Sequence, residues 1–335
     1  MIDRVLIVGL GSIGKKHLRI LRELLPKADI RLLRHKLCSE IPDYSNGFFN
    51  SLEEACNFCP QIAVIATPAT FHLKTTIELL QVGCHLMIEK PISHSAEGVI
   101  DLMKIRDRQS VVVQVGYNLR FHESLMFYRD LILSERIGCV YTIRCEVGQY
   151  LPSWRPKTDY RKSVSANQSL GGGVLLELSH EFDYLRWIFG EVKSLSASLK
   201  KQSSLEIDVE DSAYLTMTFS SKNHGERTTA SLCIDFIRHD TTRVCTAIGE
   251  RGTLKWNAVT GVVELWAQGS DHWELLLKHQ DQPDETYRAE WISFLNAVHE
   301  QKKPEVTIED GLAVMKLIDA ARMSHHSDGK AIAVQ

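Results

Sequence analysis

Several residue types stand where they could carry chemistry. Glu89-Lys90-Pro91 follows directly on the apolar run His85-Leu-Met-Ile, which places a lysine just past the end of a buried strand. An ammonium there can hydrogen-bond a hydroxyl under oxidation and stabilise the developing alkoxide, or polarise a carbonyl in the reverse direction. On residue type alone Lys90 reads equally as an exposed loop lysine, and the Lys90–Pro91 bond is open to either isomer. A second constellation opens with Gly171-Gly172-Gly173 and carries Glu177, His180 and Asp183. Spacings of three put these side chains on one face of a helix spanning 173–189. An imidazole titrates near neutral pH, so His180 can take a hydroxyl proton, with Glu177 orienting it; a purely structural histidine is the alternative.

These groups need a cofactor and a frame. Val5–Val8 is a continuous apolar run, and Gly9-x-Gly11-x-x-Gly14 follows at once, with Ser12 and Ile13 inside the motif. Leu18, Leu21, Leu24 and Leu25 then line one helical face. Strand, glycine turn and helix in that order are the dinucleotide fingerprint: a tight turn at Gly9, close pyrophosphate approach at Gly11, and helix–strand packing at Gly14. About twenty residues on, the place of an NAD-selecting carboxylate holds Arg34, followed by His35 and Lys36. Cations suit a 2′-phosphate, so NADP(H) is favoured and NAD(H) possible. Lys15 and Lys16 are expected to face water.

Strand and helix patterns alternate through the first third: strands at 30–33, 62–66, 85–88 and 111–115, helices at 52–56, 70–82 and 95–108, the last capped by Ser95. This is a doubly wound parallel sheet. After a helix over 123–136, strand follows strand at 140–148, 192–199, 213–219, 228–236, 243–248, 252–256 and 262–266, and helices at 290–299 and 308–325 close the chain. The fold class is therefore α/β: a Rossmann domain over 1–120 and an α+β domain over 121–335 with a large, mostly antiparallel open sheet.

With 335 residues and a formal charge of −3, without a basic block, nucleic acid and anionic membranes are not expected as partners. Neither a leader nor a membrane span is read, and eight scattered cysteines suit a reducing, cytoplasmic setting. Cys56-x-x-Cys59 lacks a second pair, so no metal is expected.

Ala66-Thr67-Pro68-Ala69-Thr70-Phe71-His72, Glu89-Lys90-Pro91 and the 171–183 segment, in order behind the glycine turn, resemble the Gfo/Idh/MocA family of NAD(P)-dependent oxidoreductases. The resemblance runs to Glu309-Asp310-Gly311-Leu312. It implies hydride transfer between nicotinamide and a secondary alcohol of a sugar, sugar nucleotide or polyol, with Lys90 the main polar catalyst and His180 the proton acceptor. It also implies cofactor contacts from Thr67, Pro68, His72, Glu89 and Lys90, and a homodimer or homotetramer formed through the C-terminal sheet. Asn118 and Arg120 resemble the segment lining the family's cleft, with Asp183, His180 and Lys90 also facing substrate. Leu176 stands where the family usually has an aspartate. In the loop Tyr150–Arg161, Trp154 suits stacking on a sugar face, and Arg155 or Arg161 suits a carboxylate or phosphate. This loop is similar to those of members acting on bacterial surface sugars, including nine-carbon acidic ones; a plain surface loop is the alternative. Arg238, His239 and Arg243 read as a solvated turn or interface edge. Two other functions stay open: redox-neutral sugar chemistry with a tightly held cofactor, and a non-catalytic dinucleotide-binding regulator.

Overall fold

In the computed structural model, which describes residues 2–34, 41–220, 228–280 and 282–334, the buried apolar runs become strands wherever β-branched residues crowd together. His35 and Lys36 lie outside the described residues. The chain divides into two units, one of 1–118 with 284–315, the other of 119–283 with 316–335.

The first unit opens with β1 (Arg4–Val8), α1 (Ser12–Leu24), β2 (Asp29–Leu33), β3 (Gly47–Phe49), α2 (Leu52–Asn57) and β4 (Ile62–Ile65). It continues with α3 (His72–Gln81), β5 (His85–Glu89), α4 (Val99–Gln109) and β6 (Val113–Gly116). The six strands are parallel in the order β3-β2-β1-β4-β5-β6, and Val5–Val8 of β1, all of β4 and the inner residues of β5 are fully buried, as a two-sided sheet requires. The short β3 was not anticipated. Nor does α4 start at Ser95: it starts at Val99 behind Gly98, whose φ of +79° is open to glycine at little cost.

The second unit begins with α5 (Glu123–Leu133), β7 (Val140–Gly148), α6 (Leu151–Trp154), α7 (Val174–Glu177) and α8 (His180–Phe189). Then come β8 (Glu191–Lys200), β9 (Ser212–Ser220), β10 (Thr229–Asp235), β11 (Thr242–Gly249), β12 (Gly252–Asn257), β13 (Val262–Ala267) and β14 (Glu274–Lys278). After these follow α9 (Glu285–Glu300), α10 (Ile308–His326) and β15 (Ile332–Ala333). The second sheet has nine strands in the order β14-β13-β12-β11-β7-β10-β9-β8-β15; its pairs are antiparallel except β7 with β10. Along β9 and β10 the burial alternates, so one face is covered by helices and the other carries Tyr214, Ser231 and Cys233 outward.

Two sequence expectations change. The chain turns near 120 as expected, but 284–315 belongs to the first unit: Trp291, Phe294, Ala297 and Val298 of α9 are buried with Val5, Leu18 and Leu21 in its core. And the helix expected over 173–189 is two helices, interrupted at Leu178 and Ser179.

Candidate functional site

The glycine turn is built as its spacing requires. Gly9 has φ of +89°, and a Cβ there would lie 2.7 Å from the Ala66 carbonyl oxygen. At Gly14 a Cβ would sit 2.1 Å from the Gly9 carbonyl oxygen, so a side chain would force α1 off the turn. Gly11 differs: nothing lies within 4 Å of a Cβ placed there. It is the N-cap of the 13-residue α1, which has neither a side-chain cap nor an acidic residue in its first turn, and Ser12 and Ile13 stand at the same open end. A long helix with uncapped N–H groups and clear space before them fits a pyrophosphate.

Neighbouring strand ends complete this edge. Gly9 N–H donates to the Leu33 carbonyl, which puts Arg34 at the adjoining end of β2, half-buried and described as far as its backbone bond to Phe49. Thr67 packs its methyl against Gly9, and its hydroxyl oxygen is buried with no protein partner. Pro68 follows, half-buried. Residues 9–14, 34, 67 and 68 therefore fit a dinucleotide on one sheet edge.

His72 and Glu89 both hold buried protein contacts. His72 is 1% exposed, with Nε2 2.7 Å from the Thr67 carbonyl and Nδ1 3.0 Å from the Pro91 carbonyl. Burial lowers the ring's pKa against the pull of those carbonyls, which can only accept; a neutral ring has one N–H and donates it to one of the two. His72 thus ties the Thr67 loop to the lysine loop. Glu89 is buried, with Oε1 2.7 Å from His17 Nε2 and Oε2 accepting the Lys90 backbone N–H at 3.1 Å. Burial alone would raise its pKa; the His17 hydrogen bond, with Lys90, outweighs it and holds the group ionised below the usual glutamate value. Lys90 emerges half-buried at the carboxyl end of β5, and its bond to Pro91 is cis. Asn118 donates to the Thr286 hydroxyl at 2.7 Å, which anchors the start of α9. Lys16 is partly exposed, and it also pairs with Asp284 at 2.9 Å and lies over the Tyr287 ring.

In the second unit Arg120 and Asp183 satisfy each other. Both are almost wholly buried, joined by two charge-assisted hydrogen bonds of 2.9 and 2.7 Å. The pair ties Arg120 to α8. His180, 9% exposed, is the first residue of that helix. The helix is interrupted just before it, at Leu178 and Ser179, and Glu177 accepts a 2.8 Å hydrogen bond from the Ser165 hydroxyl. Leu176, where an aspartate was missed, is buried core. The glycines before α7 are held by Glu210, a residue the sequence did not single out: its Oε1 accepts the Leu175 N–H, and a Cβ on Gly173 would meet that oxygen at 2.4 Å.

The loop of 150–161 is committed to its own contacts. Trp154 donates to the Gln149 carbonyl at 3.1 Å and stands edge-on to Phe236. Arg161 is held by Asp159 and Glu206, and those carboxylates raise its pKa; Arg155 is exposed. Arg238 is partly exposed and paired with Glu146 and Asp240. Arg243 is not: its Nε donates to the fully buried Glu181 at 2.8 Å, and its pKa is raised despite burial by that partner. Together with His122, Gln149, Leu178 and Thr242 it lines a cavity of about 280 Å3. The Glu181 partner of Arg243 gave no signal in sequence, since it lies 62 residues away.

Among the described residues no helix is long and apolar enough to cross a membrane. Residues 4–117 match the family described as oxidoreductase family, NAD-binding Rossmann fold, and residues 129–334 match its C-terminal alpha/beta domain. Myo-inositol 2-dehydrogenase of Thermotoga maritima is 23% identical, with 96% of each chain covered. A levoglucosan dehydrogenase solved in complex with NADH superposes with a TM-score of 0.84 at 18% identity over 99% of each chain. The WlbA dehydrogenase from Bordetella pertussis, solved with NADH and UDP-GlcNAcA, gives 0.80 at 21% identity, over 100% of this chain and 99% of that one. With an open glycine turn after β1, a lysine at the end of β5, and both family domains matched over 4–117 and 129–334, this chain belongs to the Gfo/Idh/MocA oxidoreductase family.

Proposed function

We propose that the protein interconverts a secondary alcohol and a ketone on a sugar, sugar nucleotide or polyol, using NADP(H) in preference to NAD(H). The observation that carries this is the open, uncapped end of α1 at Gly11 on the same sheet edge as Lys90. The relatives named as inositol and levoglucosan dehydrogenases support the substrate class. When bound, the nicotinamide supplies the hydride acceptor or donor.

The chain's own residues do the rest. The Lys90 ammonium hydrogen-bonds the reacting oxygen and stabilises negative charge as the carbon is oxidised. His180 takes the hydroxyl proton at an imidazole nitrogen, and returns it in the reduction. The carboxylate of Glu177 is engaged by Ser165, and carries no proton in this scheme. Arg34 sets the preference for a 2′-phosphate.

The test is nicotinamide absorbance with both cofactors and a panel of inositols, free sugars, acidic sugars and sugar nucleotides, with Lys90→Ala as control. Turnover that vanishes in the variant is expected. Tight cofactor binding without net absorbance change on any substrate would replace this reading with redox-neutral chemistry or a regulatory role.

A further inference from the structure

Within the first unit, a chain of buried polar contacts ends on the catalytic lysine's own backbone. Trp291 Nε1 donates to His17 Nδ1 at 2.8 Å, His17 Nε2 lies 2.7 Å from Glu89 Oε1, and Glu89 Oε2 accepts the Lys90 N–H at 3.1 Å. His17 and Trp291 are 0% exposed and Glu89 7%. An indole N–H can only donate, so His17 Nδ1 must present a lone pair, and the one proton of a neutral ring then sits on Nε2, aimed at the carboxylate. The rings of Tyr287 and Trp291 pack edge-on to His17 at 5.8 and 5.7 Å and fix its plane. Gly116 clears room for the carboxylate: a Cβ there would lie 3.3 Å from Glu89 Oε2. On the far side of Lys90, His72 holds the Pro91 carbonyl.

We propose that Trp291, His17 and Glu89 are a positioning relay for Lys90. The indole selects the His17 tautomer, the tautomer orients the Glu89 carboxylate, and the carboxylate fixes the backbone from which the ammonium projects. The assignment of a catalytic purpose rests on the function proposed for Lys90; the relay itself does not. Helix α9, which arrives from far along the chain, thereby sets the geometry of the reacting end of β5. None of the three residues touches substrate.

The test uses the full chain carrying 15N-histidine, read by NMR with and without NADPH. His17 Nδ1 is expected to show the shift of an unprotonated ring nitrogen, and Nε2 that of a protonated one donating a strong hydrogen bond. In Trp291→Phe, hydrogen exchange at the Lys90 amide is expected to quicken about tenfold or more, and kcat on any sugar the parent oxidises to fall about tenfold, with cofactor KM within about twofold. Val298→Ala, which lowers packing in the same core two turns beyond Trp291 on α9, is expected to leave the Lys90 amide as it is. A proton on His17 Nδ1 in the parent chain, or a Lys90 amide unmoved in Trp291→Phe, would overturn the relay. The tautomer measurement needs no variant, so it decides the matter even if a core substitution fails to fold. A sugar panel without turnover would overturn the oxidoreductase reading, while the NMR result still decides the relay.

Discussion

At the scale of single residues, charge placement separates groups that hold the fold from groups left for chemistry. Lys90→Ala removes the ammonium only; turnover is expected to fall about 100- to 1,000-fold with NADPH affinity retained, read by steady-state rates and calorimetry. Arg120 and Asp183 are the opposite case. Removing one partner strands a buried charge, so Asp183→Asn or Arg120→Leu is expected to lose about 3 to 5 kcal/mol in denaturant unfolding. Glu290 is fully buried, neither of its oxygens has a partner, and burial, reinforced by Glu89, pushes its pKa well up. Unfolded glutamate ionises near about pH 4.3, so as pH climbs above that value the unfolded chain releases a proton that the folded chain retains, and stability falls. Glu290→Gln lacks that proton; its stability relative to the parent is expected to rise from about pH 5 to about pH 8, measured as unfolding midpoints. Lys90 and the glycines were legible in sequence because their meaning depends on neighbours a few positions away. The contacts of His72, Glu89, Arg120 and Asp183 were not legible, because each has a partner 19, 72 or 63 residues distant.

At the scale of elements, the glycine turn gives a paired prediction. A Gly14→Val side chain would collide with the Gly9 carbonyl, so both thermal stability and cofactor binding are expected to drop. Gly11→Val meets open space; stability is expected to stay close to the parent while NADPH binding is lost, as seen by melting curves and titration calorimetry. The alternation of buried strands and amphipathic helices made this whole sheet readable, down to its parallel sense. The break between α7 and α8 was not readable, because Val174 to Phe189 carries no proline or glycine to announce it. It arises from tertiary ties: Glu210 holds the start of α7, and Arg120 holds α8 through Asp183.

At the scale of the whole molecule, the outward face of the nine-stranded sheet supports a proposed subunit contact. Tyr214, Cys233 and Glu146 stand in one cross-strand row on β9, β10 and β7. Sedimentation of the parent chain is expected to give a dimer or tetramer, and Tyr214→Arg to shift it toward monomer. A single species of monomer mass in the parent would end that proposal. The division of the chain was legible only in part: the change of texture near 120 is local, but the return of 284–315 depends on Trp291 and Phe294 completing a core begun near residue 5. That return has a consequence for synthesis on the ribosome. All six strands of the first sheet emerge long before α9 does, and the chain between them takes on the order of ten seconds or more to translate. Through that interval the apolar side of α1, with His17 lacking its indole partner, waits uncovered, so the nascent first unit is the stretch a holding chaperone would meet.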